Sequence, residues 1–97
     1  MTTTLVALWT APSDLDAFTA DYLATHVALC EALPGIAEVK TGAAMPGGPY
    51  VRMTTLEFPD MATFGAAMGT PAGAAVIADG GRLNEAFANK TDTLILE

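Results

Sequence analysis

His26 and Cys30, the one histidine and the one cysteine in 97 residues, stand a helical turn apart in DYLATHVALCEALPG, with Tyr22 one turn before the histidine. Imidazole titrates nearest neutrality among side chains, so His26 is the candidate general acid or base. Tyr22, on the same helix face, is placed to orient a carbonyl or phenol of a bound molecule. Cys30 invites a thiolate–imidazole pair, but no basic residue stands beside it to lower its pKa, and free cysteine is among the most buried residue types. We read Cys30 as packing. The plain alternative for His26 and Tyr22 is also packing, with their polar tips hydrogen-bonded to each other, to a carboxylate or to backbone.

Two further residues bear on binding. Trp9, the single indole, offers a flat apolar surface with one donor, suited to the wall of an aromatic-binding pocket and equally to a core or a dimer interface. Arg52 falls in a predicted central strand, where it either reaches an anionic substrate group or, the favoured reading, pairs with Glu38 or Glu57 near a rim. Met45, Met53, Met61 and Met68 read as core gap-fillers. PGGP at 46–49 has no lysine and no following helix, which removes it as a phosphate loop. One histidine and one cysteine cannot supply a zinc site, so no metal and no cofactor are expected.

The elements that must position these residues follow from periodicity. TLVALWT at 4–10 reads as a strand buried on both faces, ended by Ala11-Pro12. Ser13 or Asp14 caps a helix on which Leu15, Phe18, Tyr22, His26, Leu29 and Leu33 recur at three and four, until Leu33-Pro34-Gly35 stops it. A strand from Ile36, loop chemistry at 45–49 and a strand Tyr50–Phe58 make a hairpin with a long connection. Asp60 caps a short helix, Thr70-Pro71 opens another, and Gly80-Gly81 is expected to weaken or end it before a last turn around RLNEAF. TDTLILE closes the chain as a strand.

The order β-α-β-β-α-β is the ferredoxin-like arrangement, an α+β fold in one domain spanning 1–97, with both helical segments on one face of a four-stranded antiparallel sheet. The first and last strands are too apolar for a sheet wetted on its other face, so a homodimer pairing sheet to sheet is expected. Lys+Arg 4 against Asp+Glu 11, a net charge of -7, repels phosphate backbones and anionic lipid heads, so neither nucleic acid nor a membrane surface is expected as a partner. With no signal-peptide pattern and no run of 18 apolar residues, the expected location is the cytoplasm.

Phe18, Tyr22, His26 and Leu29, followed by Leu33-Pro34-Gly35, resemble the first helix of the EthD-like family in the dimeric α+β-barrel superfamily. GTPAGAAVIADGGRLNEAF, with Thr70-Pro71, Asp79 and Phe87, resembles the family's second helical region; Ala72 departs from it where an acidic residue is expected. The resemblance implies a small homodimer whose sheets form a barrel, with a pocket in each subunit between sheet and helices. It also brings Asp79 toward His26, as the carboxylate that fixes the imidazole tautomer. His26, Tyr22 and Asp79 would then shuttle a proton in a cyclisation, dehydration or isomerisation of a small apolar or aromatic molecule, or in oxygenase-associated catabolism. The superfamily holds polyketide cyclases, lactone isomerases, cofactor-independent oxygenases and haem enzymes, so two rivals stand beside that reading. One is a non-catalytic binding or accessory protein of an oxygenase system. The other makes His26 an axial haem ligand.

Overall fold

A computed structural model describes residues 2–97. Strand β1 (Thr3–Thr10) is followed by α1 (Leu15–Asp21), a π-helical segment (Tyr22–His26) and α2 (Val27–Glu31) as one continuous helical rod. The hairpin of β2 (Glu38–Ala43) and β3 (Tyr50–Phe58), then α3 (Met61–Met68), α4 (Pro71–Phe87) and β4 (Thr91–Leu96) complete the chain. The strands form one antiparallel sheet in the order β2-β3-β1-β4, which is the expected ferredoxin-like architecture.

Local chemistry sets the helix starts. The Asp14 carboxylate accepts from the Ala17 amide at 3.0 Å, Asp60 from Thr63 at 2.7 Å, and the Thr70 hydroxyl from Gly73 at 3.2 Å. Each satisfies an amide that the first turn leaves without a partner. After α2, Gly35 turns the chain with φ 78°, and a Cβ there would collide with the Thr63 side chain. Left-handed backbone and close approach together make that position a glycine.

One expectation is corrected. Gly80 and Gly81 do not interrupt α4, which runs unbroken for 17 residues. Glycine in a helix interior costs about 1 kcal/mol relative to alanine, but burial of Val76, Asp79 and Leu83 along one side of α4 holds the rod against the sheet. RLNEAF therefore belongs to the same helix.

The two faces of the sheet differ sharply. Thr54, Leu56 and Phe58 of β3 point beneath the helices and are all buried. The register puts Val6 and Leu8 of β1, Met53 of β3 and Leu94 and Leu96 of β4 on the uncovered face. Met53, Leu94 and Leu96 stand 45 to 55% exposed, whereas Val6 is buried and no residue of β1 is exposed, so it is the last strand that is open to solvent in a single chain. The methionines are corrected with them: Met45 and Met61 are exposed as well, and of the four only Met68 packs against the core.

The core beneath the helices has two parts. Cys30, Leu33, Leu56, Phe58, Ala67 and Val76 make an apolar cluster at one end. Trp9, Phe18, Tyr22 and Leu83 make an aromatic one at the other. No single helix among the described residues is long and apolar enough to cross a membrane.

Candidate functional site

The π-helical segment governs the site. Its ladder closes from the Val27 amide to the Tyr22 carbonyl, one residue wider than an α-helical bond. Tyr22 and His26, at its two ends, both lie on the buried side of the rod, their rings 5.1 Å apart and 31° from parallel. Such single-turn insertions concentrate at functional sites. Trp9 meets both rings nearly edge-on, at 5.1 Å from Tyr22 and 5.4 Å from His26.

Across from the rod, α4 delivers Asp79. Its Oδ2 lies 2.8 Å from His26 Nδ1, and both side chains are buried. Oδ1 accepts from Arg82 Nε at 2.7 Å, one turn further along α4. The Arg82 fork continues to Asp21 at the end of α1, with Nη1 to Oδ2 at 2.9 Å and Nη2 to Oδ1 at 2.7 Å. A single guanidinium thus fastens both carboxylates and both helical segments.

Burial disfavours the charged form of Asp79, but hydrogen bonds from Arg82 and His26 outweigh it and hold the carboxyl below its ordinary range. The Arg82 hydrogen bond likewise lowers Asp21. An ionised carboxylate only accepts, so Nδ1 of His26 carries the proton and Nε2 is left for chemistry. Nε2 has no protein hydrogen bond among the described residues.

His26 lines a cleft of about 230 Å³ between the sheet and α4. Leu5, Ala7, Leu56, Val76 and Ile77 make most of its wall apolar, with Trp9, Tyr22 and Thr54 at one end. Gly80 contributes closeness: a Cβ there would rest 3.9 Å from both the His26 ring and the Trp9 ring, so the helix backbone itself walls the imidazole. Cys30 also borders the cleft, yet burial and then the Asp79 charge push its thiol up to about 11, which leaves it unreactive as a nucleophile.

Tyr22 borders the same space, and its hydroxyl is taken up by Thr54, another residue of the lining. The Thr54 hydroxyl donates in turn to Thr41 at 2.9 Å, so the phenol O–H donates to the Thr54 oxygen. Burial raises the phenol to about 12 and keeps it protonated. Trp9 Nε1 is a buried donor without a partner among the described residues.

Arg52 is not in this cleft. Its guanidinium carbon lies 5.7 Å from the Tyr22 ring centre, and Nη1 donates to Thr41 at 2.8 Å. The expected pairing with Glu38 or Glu57 does not form. Glu57 is an odd number of residues along β3 and faces the uncovered side, where it is registered opposite Glu38.

Sequence reasoning named His26, Tyr22, Asp79 and Trp9 as candidates, and the structure brings these four together. It missed Thr54, Thr41, Arg82 and Asp21. The alternation of β3 carried a signal for Thr54, a hydroxyl on the same face as Leu56 and Phe58, and the spacing of three from Asp79 carried one for Arg82.

No protein-family model matches the chain, and no curated protein matches it in sequence. Solved structures do. An ethyl tert-butyl ether D (EthD) family protein from Bacillus halodurans superposes with a TM-score of 0.88 at 26% identity, over 100% of this chain and 98% of that one. SnoaB, a cofactor-independent oxygenase from Streptomyces nogalater, reaches 0.73 at 14% identity over 99% and 91%. A dimeric ferredoxin-like protein from Thermobifida fusca reaches 0.73 at 16% over 99% and 90%. The likeness to the EthD family read from the first helix therefore extends over the whole chain, which has the ferredoxin-like fold.

Proposed function

We propose that this protein binds a small, largely apolar or aromatic molecule in the cleft beside His26 and moves a proton on it. The observation that carries this reading is the 2.8 Å hydrogen bond between His26 Nδ1 and Asp79 Oδ2 at the wall of an apolar cleft. A histidine serving only to pack needs no ionised partner held in place by its own arginine.

The base is Nε2. It removes a proton from an acidic C–H or O–H of the ligand, the imidazolium is stabilised by Asp79, and the same proton returns to another ligand atom. That cycle closes for an isomerisation, and for a cyclisation or dehydration in which a ligand oxygen takes the proton. The Trp9 and Tyr22 rings form the aromatic end of the site, and the volume suits a ligand at or below drug size. SnoaB contributes only the fold at 14% identity, so an oxygenase activity is not carried over from it.

The active form is a homodimer. Val6, Leu8, Met53, Leu94 and Leu96 make an apolar face that no element of the chain covers, a second copy would bury it sheet to sheet, and a similar structure is described as dimeric. Light scattering should give twice the 10.0 kDa of one chain; a mass near one chain contradicts the dimer.

Exchange of the acidic carbon protons of 2-tetralone in deuterated water, followed by NMR, tests the chemistry. Exchange should accelerate in proportion to protein, and His26→Gln should lose the acceleration with its circular dichroism unchanged. Exchange at the buffer rate, with Trp9 fluorescence still saturating on 2-tetralone, would establish binding without catalysis. Haem giving a shifted Soret band that His26→Gln abolishes would establish the axial-ligand reading instead.

A further inference from the structure

The chain has four basic residues, and three are readily placed. Lys40 is exposed beside Glu38, Lys90 is exposed, and Arg82 is clamped by two carboxylates. Arg52 differs: it is 8% exposed, yet no carboxylate lies within ion-pair distance among the described residues. Its one protein hydrogen bond goes to Thr41, and the Tyr22 ring lies beneath it. A guanidinium presents five donors in a rigid planar fork, and burying its charge without a counter-ion is costly.

A second cleft, of about 530 Å³, opens beside this group between α1 and the loop that joins β2 to β3. Arg52 lies at one end. The rest is mainly apolar, with Leu15 and Ala20 on the α1 side and Ala44, Met45, Pro46 and Val51 on the loop side. Met45 is 85% exposed at the lip, an apolar side chain that a ligand's body would cover.

We infer that this second cleft binds an organic monocarboxylate with an apolar or aromatic body, its carboxylate seated on the free edge of the Arg52 fork. The planar fork matches a carboxylate in bidentate fashion. Single charge is favoured over a phosphate because the cleft holds no second cation, Asp16 lies on its wall, and the whole chain carries -7. The site shares no lining residue with the His26 cleft, and it does not depend on the proton-transfer reading.

Benzoate is the probe, and the neutral isostere benzamide the control. In ¹H–¹⁵N spectra of the full chain, benzoate should shift the Ala43–Arg52 amides saturably, and benzamide should bind about tenfold more weakly or worse. Arg52→Gln should abolish the benzoate shifts, Arg52→Lys should weaken binding about tenfold, and His26→Gln should leave it unchanged. Equal binding of benzoate and benzamide would overturn the proposal. So would the absence of saturable shifts in the wild type, the result expected if a carboxylate of a second copy already occupies the fork. Should Arg52→Gln not fold, the wild-type comparison and Arg52→Lys decide alone.

Discussion

The two ends of the helix-covered sheet face use the same scaffold for different purposes. At one end Cys30, Leu33, Leu56, Phe58, Ala67 and Val76 pack with no polar group among them except a protonated thiol. At the other, aromatic rings surround a histidine whose partner carboxylate is tied by an arginine to a second carboxylate. His26 and Cys30 are only one turn apart on the same rod, so the contrast comes from what α4 brings opposite each of them. Val76 packs within the apolar cluster that holds Cys30, and Asp79 bonds His26. The pairing of His26 with a carboxylate is therefore a property of helix pairing and not of the residue type alone.

The apolar end carries the fold, so the largest loss should come from emptying it. Phe58→Ala, at a fully buried position, should cost about 3–5 kcal/mol in denaturant unfolding. A cost near zero would show that the cluster does not hold the sheet to the helices.

Asp79→Asn attacks the polar end. It leaves His26 and Arg82 facing a neutral amide and should cost about 1–3 kcal/mol. The pH dependence supplies the sign. The Asp79 pKa is lower in the folded chain, so near the ordinary carboxylate value of about 4 the unfolded chain binds more protons and stability rises with pH. This contribution is fully present above that value and is lost as pH falls through the lowered folded one. Asp79→Asn should accordingly flatten the acid limb of stability against pH, whereas Phe58→Ala should lower the curve and keep its shape.

Tyr22→Phe separates ring from hydroxyl. Removing the donor to Thr54 should cost about 0.5–1.5 kcal/mol and leave binding of an apolar molecule beside His26 intact, because the hydroxyl is already bonded within the protein. Smallest in size is Ala88→Gly. Ala88 ends α4 with φ 52°, and relieving that left-handed backbone should raise stability by up to about 1 kcal/mol as judged by thermal melting.

Much of this was legible before any coordinates. Alternation gave β3 from Tyr50 to Phe58, caps gave Asp14, Asp60 and Thr70, and strand order gave the sheet. The π-helical segment was not legible, because one wider hydrogen bond at Tyr22 changes the ladder and leaves the three-and-four spacing of apolar residues almost intact. Gly80-Gly81 misled because local propensity is weak against burial of Val76, Asp79 and Leu83. Arg52 misled for a different reason: its strand was right, but composition was used to choose its partner where the parity of β3 decides which face it reaches. Arg82 and Asp21 were overlooked because a surface-accessible guanidinium looks ordinary until the fold places two carboxylates within 3 Å of it.

The central claim is that Asp79 fixes His26 with its proton on Nδ1 and its lone pair on Nε2, at a cleft built to hold an apolar molecule. Long-range ¹H–¹⁵N correlation of the single imidazole, recorded above the ordinary histidine titration range, reads this directly. The expected spectrum shows Nδ1 protonated and Nε2 pyridine-like, and Asp79→Asn shifts the population toward the Nε2–H form that free imidazole side chains prefer. A wild-type spectrum with the proton on Nε2 would contradict the account, since the nitrogen assigned as the base would then be a donor.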